Sequence, residues 1–156
     1  MKTPQDNGDW HEINIEREGM MPFYTCFAFS GSLSAAQKAN IAEEITRIHT
    51  KLTGAPRSFV RVLFHEMRSS DIFTGGKPLP CAMIRGVIRA GRSAEVKKQL
   101  LSELWTMLQD ATGLEDDKLL VSIQDNPANN AMEAGEILPE PQHEAEWLAG
   151  LGRTDH

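Results

Sequence analysis

The sequence has few cysteines, no long apolar run and no excess of positive charge, and each shortage removes a class of function. Cys26 and Cys81 are its two cysteines. Their spacing fits no metal motif, and with no secretory context they read as reduced thiols. No apolar run approaches the roughly 20 residues that a membrane span needs, and no signal-peptide hydrophobic region stands at the start. A cytoplasmic location is therefore expected. A formal net charge of -6 argues against nucleic acid or an anionic membrane as partner, because both require a basic patch. A small anionic substrate stays open, since a few arginines in one pocket override the global sign.

What is present is ordinary for one globular domain. The chain has 156 residues, 40% apolar and 24% charged, which is enough to bury a proper core. Residues 1–21 are polar, with a weak I-N-I alternation, and read as an extension or as sequence ahead of a start at Met21. A domain over 22–147 and a tail over 148–156 are expected to follow.

From Pro22 the pattern changes. Pro22 to Phe29 is rich in aromatic and β-favouring residues and predicts a strand. Ser34 then reads as an N-cap, followed by a helix with Ile41, Ile45, Ile48 and Leu52 at helical spacing. Thr53-Gly54 closes that helix and Pro56 blocks its continuation. A second strand is predicted over 58–64. After a loop with Gly75-Gly76 comes a third strand over 82–88. Ser93 caps a second helix carrying Leu100, Leu104 and Leu108, Thr112-Gly113 ends it, and a fourth strand is predicted over 118–124.

Sliding the chain by 59 residues places Ser34 on Ser93, Lys38 on Lys97, Ile41 on Leu100, and Thr53-Gly54 on Thr112-Gly113. Pro22 falls on Cys81. One β-α-β unit has been duplicated and fused. The expected architecture is α+β: two parallel pairs in a four-stranded sheet, with two helices on one face. The other face would be bare and apolar, so self-association is expected. Two architectures satisfy this order, the ferredoxin-like plait and the fused tautomerase unit, and pattern alone does not separate them.

Chemistry gathers at a few positions. Arg89 and Arg92 lie where the third strand gives way to the second helix, and guanidinium forks bind carboxylates through paired hydrogen bonds. Two arginines near a helix start are also commonly solvated. Gly91 between them lets backbone come close. Arg85, on the strand itself, is a candidate subunit contact. His49 lies in the last turn of the first helix, where the helix end favours an imidazolium, although its repeat partner Leu108 argues for an inward-facing, structural histidine. His65, beside Glu66, reads as half of a surface pair. Glu133 follows the fourth strand in a loop, where function often sits but where a lone carboxylate is normally solvated. Met20-Met21-Pro22 is the odd feature. A start at Met21 followed by methionine removal would leave Pro22 a free secondary amine, able to act as base, acid or nucleophile. Inside a peptide bond the same nitrogen is an amide and does none of these.

Taken together, M-P-F-Y, I-T-R-I-H-T-K-L-T-G, F-T-G-G, R-G-V-I-R-A-G-R-S and I-L-P-E-P-Q-H-E-A-E-W resemble the tautomerase superfamily, in its cis-3-chloroacrylic acid dehalogenase branch. The resemblance spans Pro22 to about Trp147. It implies a fused β-α-β pair assembled as a homotrimer and a small carboxylate substrate, with no metal or organic cofactor. Pro22 would be the amino-terminal acid or base, His49 its helix histidine, Arg89 and Arg92 the carboxylate clamp, and Glu133 the water-activating glutamate. The branch's strand tyrosine is replaced by Ser122, which argues against efficient dehalogenation. Two rivals remain at this stage. One is a non-catalytic relative whose extension covers the pocket; the other is a ferredoxin-like regulatory module binding a small anion.

Overall fold

The computed structural model describes residues 21–150, so most of the expected amino-terminal extension and residues 151–156 lie outside it. The first unit consists of β1 (Phe23–Phe29), α1 (Ala35–Thr53) and β2 (Arg61–Met67), followed by the two-residue strands β3 (Phe73–Thr74) and β4 (Lys77–Pro78). The second repeats this order as β5 (Ala82–Arg89), α2 (Ala94–Thr112), β6 (Leu119–Asn126), β7 (Met132–Glu133) and β8 (Glu136–Ile137). A short helix, α3 (Glu144–Gly150), ends the described chain.

The main sheet runs β2-β1-β5-β6. Each unit supplies a parallel pair, β1 with β2 and β5 with β6, and the units join antiparallel through β1 and β5. The β-α-β duplication is thus present as the sequence predicts. Its boundaries differ at β2, which starts three residues later than expected. Pro56 redirects the chain into a 3-10 turn over Arg57–Phe59, closed by the Phe59 and Val60 amides on the carbonyls of Pro56 and Arg57. Phe59 is buried in that turn.

Both long helices obey their sequence signals. Ser34 accepts from the Gln37 amide, and Gln37 reaches back to the Ser34 amide, a complete capping box. Ser93 caps α2 through Val96. Gly54 and Gly113 close the helices at φ 74 and 67, in the left-handed region that glycine enters freely. The threonines before them make the same bond in each unit. Thr53 Oγ1 donates to the His49 carbonyl at 2.8 Å, and Thr112 Oγ1 to the Leu108 carbonyl at 2.7 Å.

Ile41, Ile45 and Ile48 of α1 and Leu100, Leu104 and Leu108 of α2 bury against Tyr24, Cys26, Ile84 and Ile88 of the sheet. Each such aliphatic side chain contributes about 1.5–3 kcal/mol on burial, which fixes the helices on one face. The opposite face leaves Phe23, Leu63 and Leu120 exposed, and the hairpin arms expose Phe73, Met132 and Ile137. Arg85 stands on this open face, donating to Gln124 at 2.9 Å. A second, smaller cluster of Met21, Ala128 and Leu138, with Trp147 packed against it, fastens the C-terminal strap over the end of the sheet.

Candidate active site

The site is built at the head of β1. Burial alternates along β1, with Tyr24, Cys26 and Ala28 buried, and Pro22 continues that alternation on the helix-covered side. Pro22 is itself buried, and its carbonyl accepts from the Arg61 amide at 3.0 Å. Phe23 pairs with Val87, so one further step of the antiparallel register puts Pro22 opposite Ile88 and beside Arg89.

Tyr24 reaches from β1 into the last turn of α1, where its hydroxyl meets His49 Nδ1 at 2.7 Å. Both side chains are buried. The room for this ring comes from Gly86, its register partner on β5; a Cβ there would lie 2.5 Å from Tyr24 Cε1. Tyr24 is the chain's single tyrosine. Its role escapes sequence reasoning because its partner lies 25 residues away.

His49 faces inward, as its repeat partner Leu108 argues, so the helix end that favours an imidazolium does not decide its charge. Burial, seconded by the nearby Arg92 charge, pushes its pKa down from 6.5 to about 3, and this outweighs the favourable helix end. His49 is therefore a neutral imidazole at physiological pH. An unfolded histidine titrates near 6.5. Between about pH 6.5 and 3 the unfolded chain binds the proton that the folded chain refuses, so stability falls as pH drops through this window. His49→Gln is expected to flatten that slope relative to the parent in thermal melts between pH 7 and 4. Equal slopes would show that His49 is not held neutral.

Arg89 and Arg92 come from the β5 end and the turn into α2, and the structure brings them together. The Arg89 side chain is 4% exposed and that of Arg92 15%. Arg89 Nη2 donates to the Pro139 carbonyl, and Arg92 Nη1 to the Thr53 carbonyl at the α1 C-terminus at 3.1 Å. That cation satisfies one of the carbonyls a helix end leaves over. Between the two stands Glu144, the first residue of α3. Its Oε1 lies 2.8 Å from Arg89 Nη1 and its Oε2 4.0 Å from Arg92 Nη2. Gly91, at φ 106, admits Pro141 of the same strap, whose Cγ lies 3.0 Å from where a Cβ would stand. The sequence expects Gly91 to let backbone come close; what approaches it is a side chain, Pro141 of this chain's own strap.

Glu133 lies on β7 and is 4% exposed, so it is not the solvated carboxylate its loop position suggests. Its hairpin belongs to the segment that packs on Met21, next to Pro22. Ser122 lies elsewhere. Its neighbours Val121 and Ile123 pack on the core, and Ser122 stands on the other face, in register with Arg85. His65 is exposed beside Phe27, and Glu66 pairs with Lys38 at 2.7 Å instead of with His65.

Duplication creates two equivalent places, and one is armed. The counterpart cavity, about 130 Å³, is lined by Cys81 where the first has Pro22, by Leu33 where it has Arg92, and by Thr112 and Leu114. Partial burial raises the Cys81 thiol, which keeps it protonated. Leu108 replaces His49. Among the described residues no group of three or more His, Cys, Asp or Glu is placed to hold a metal ion, and no helix is long and apolar enough to cross a membrane.

The chain is similar to known proteins across the described fold. Residues 21–150 match the family profile described as "Putative oxalocrotonate tautomerase enzyme". N1, a member of the cis-3-chloroacrylic acid dehalogenase family, is 30% identical, covering 81% of this chain and 90% of its own, with a TM-score of 0.77. Pt0534, solved after inactivation by 2-oxo-3-pentynoate, is 28% identical over 74% of this chain and 94% of its own, with a TM-score of 0.68. The R7 fused 4-OT, solved as an asymmetric trimer, is 27% identical with the same two coverages and a TM-score of 0.68.

Proposed function

This chain belongs to the tautomerase superfamily, and we propose that it is an acid–base enzyme of that superfamily acting on a small unsaturated or 2-oxo carboxylic acid through Pro22. The observation that carries the reading is the arginine pair near Pro22, Arg89 buried and Arg92 half-buried, which faces a carboxylate in the structure itself, Arg89 hydrogen-bonding it at 2.8 Å and Arg92 standing 4.0 Å off. A site that sets one carboxylate between two guanidiniums suits another.

In this reading Arg89 and Arg92 bind the substrate carboxylate and draw electron density toward it. Glu133 takes a proton from water, and the oxygen adds to the β carbon. Pro22, as a protonated secondary amine, gives its proton to the α carbon. Neutral His49, its Nδ1 engaged by Tyr24, orients or polarises the substrate through its other ring nitrogen. For a keto–enol pair, neutral Pro22 would take the enol proton and return one to carbon. The steps require no metal or organic cofactor. With Ser122 on the open sheet face in place of the branch's tyrosine, hydration or tautomerisation is favoured over dehalogenation.

The domain acts as a homotrimer in this proposal, its exposed Phe23, Leu63 and Leu120 covered by neighbouring subunits; the trimeric R7 fused 4-OT supports it. A chain starting at Pro22 is expected to ketonise phenylpyruvate or hydrate an acetylenic acid, and Pro22→Ala to abolish the rate. An unchanged rate in that variant would sink the proline mechanism.

One observation favours the non-catalytic alternative. In the described chain the Pro22 nitrogen is bonded to Met21, which is itself buried in the second cluster. With that bond intact the chain would be a binding protein for small carboxylates.

A further inference from the structure

Glu144 is an acidic residue placed where an acidic substrate would go. Its two oxygens face one arginine each, Oε1 toward Arg89 and Oε2 toward Arg92. The guanidiniums are held from other directions as well, by the Pro139 and Thr53 carbonyls. The Thr53 anchor belongs to α1, so Arg92 at least keeps its place without the strap. Glu144 approaches from the solvent side, its side chain 17% exposed against 4% for Arg89.

The element that carries it is anchored chiefly through one side chain, Trp147. No residue of α3 is buried. Apart from Glu144, its main ties are Trp147, which packs on the Met21, Ala128 and Leu138 cluster, lies 6.0 Å from the Phe59 ring and donates from Nε1 to Glu136 at 2.9 Å, and Glu146, 3.8 Å from His143 within the strap. The Glu144 side chain can therefore swing toward water while Trp147 stays docked on its cluster, and the main core is untouched. That swing would, however, leave a buried guanidinium without an anion, which is strongly unfavourable. An incoming carboxylate removes that obstacle by exchanging one ion pair for another; an uncharged molecule does not.

We propose that Glu144 is an internal carboxylate latch, which neutralises the empty arginine pair and which a substrate carboxylate must displace. The proposal rests on the reading of Arg89 and Arg92 as the carboxylate site. Glu144 then sets affinity and selects for charge: the strap opens for a carboxylate and stays closed to its amide.

The test uses crotonate, with crotonamide as the uncharged control, measured by titration calorimetry on the full chain. Glu144→Gln is expected to bind crotonate about tenfold more tightly than the parent, because the competing charge is gone while an amide oxygen still caps Arg89. Crotonamide binding is expected to stay equally weak in both. Arg89→Met should remove crotonate binding with or without Glu144→Gln. Equal or weaker crotonate binding by Glu144→Gln, with Arg89 still required, overturns the latch and leaves the arginine site standing. Binding that ignores Arg89→Met, or is absent throughout, overturns both. A measurement on the unsubstituted protein guards against a misfolded variant. Crotonate, but not crotonamide, is expected to speed amide hydrogen exchange in α3, and unaltered exchange at saturating crotonate contradicts the latch.

Discussion

A chain whose first residue is Pro22 is expected to turn over phenylpyruvate at least about a hundredfold faster than the same chain with Met21 still attached. General acid–base catalysis by a positioned group contributes about 10²–10⁴ in rate, and an amide nitrogen supplies none of it. Pro22 is buried at the head of β1, its carbonyl fixed by the Arg61 amide, so its ring is already in position before any substrate arrives. What cleavage alters is the nitrogen. A secondary amine gains a lone pair, titrates in an accessible range and carries a proton to or from carbon. Met21 also packs against Ala128 and Leu138, so its removal opens space under the strap where the substrate's reacting carbons would lie. Equal rates from the two chains would place the chemistry on another group.

The second large effect belongs to Arg89. Arg89→Met is expected to lower kcat/KM by about 10²–10³, in keeping with the 2–5 kcal/mol lost when one partner of a buried charged contact is removed. Stability should fall far less, by about 1–2 kcal/mol. Losing one member of a fully buried pair costs about 3–5 kcal/mol because the other is stranded. Here the partner left behind is Glu144, which is 17% exposed on a helix with no buried residue and can turn to water. The methionine also fills the aliphatic path of the arginine stem. Kinetics and thermal melts on the same preparation separate the effects. A loss of activity fully matched by a loss of fold would mean that Arg89 is structural.

Much of this was legible in the chain because the duplication repeats its signals. The serine caps, the Thr-Gly stops and the aliphatic faces of α1 and α2 each occur twice at one spacing, and each acts locally, within a turn or two of helix. The β3–β4 and β7–β8 hairpins were not legible. They are two residues per strand, too short to show any alternation, and of the left-handed turn residues Gly75, Gly76, Ala134 and Gly135 the alanine carries no turn signal in sequence. The protonation state of His49 was not legible for a related reason. The helix end is visible in sequence, whereas the burial under Tyr24 and the facing Arg92 arrive only with the tertiary fold. Glu144 gave no signal at all. A glutamate at the start of a short polar helix reads as solvated, and its partner Arg89 stands 55 residues away. Pro22, Arg89, Arg92 and Glu133 were singled out through the family resemblance and the strand-to-helix position; the structure buries Pro22, Arg89 and Glu133, and sets Arg89 and Arg92 on either side of the Glu144 carboxylate.

The account turns on Pro22 as an amine beside an arginine-gripped carboxylate, and covalent trapping tests that most directly. Pt0534 is inactivated by 2-oxo-3-pentynoate, an acetylenic 2-oxo acid whose triple bond accepts an amine nucleophile. With a chain starting at Pro22, the predicted result is one adduct per chain, mapped by peptide mass spectrometry to the Pro22 nitrogen and suppressed by Arg89→Met. Inactivation without label on Pro22, or a Pro22 that stays unmodified at saturating reagent, would contradict it.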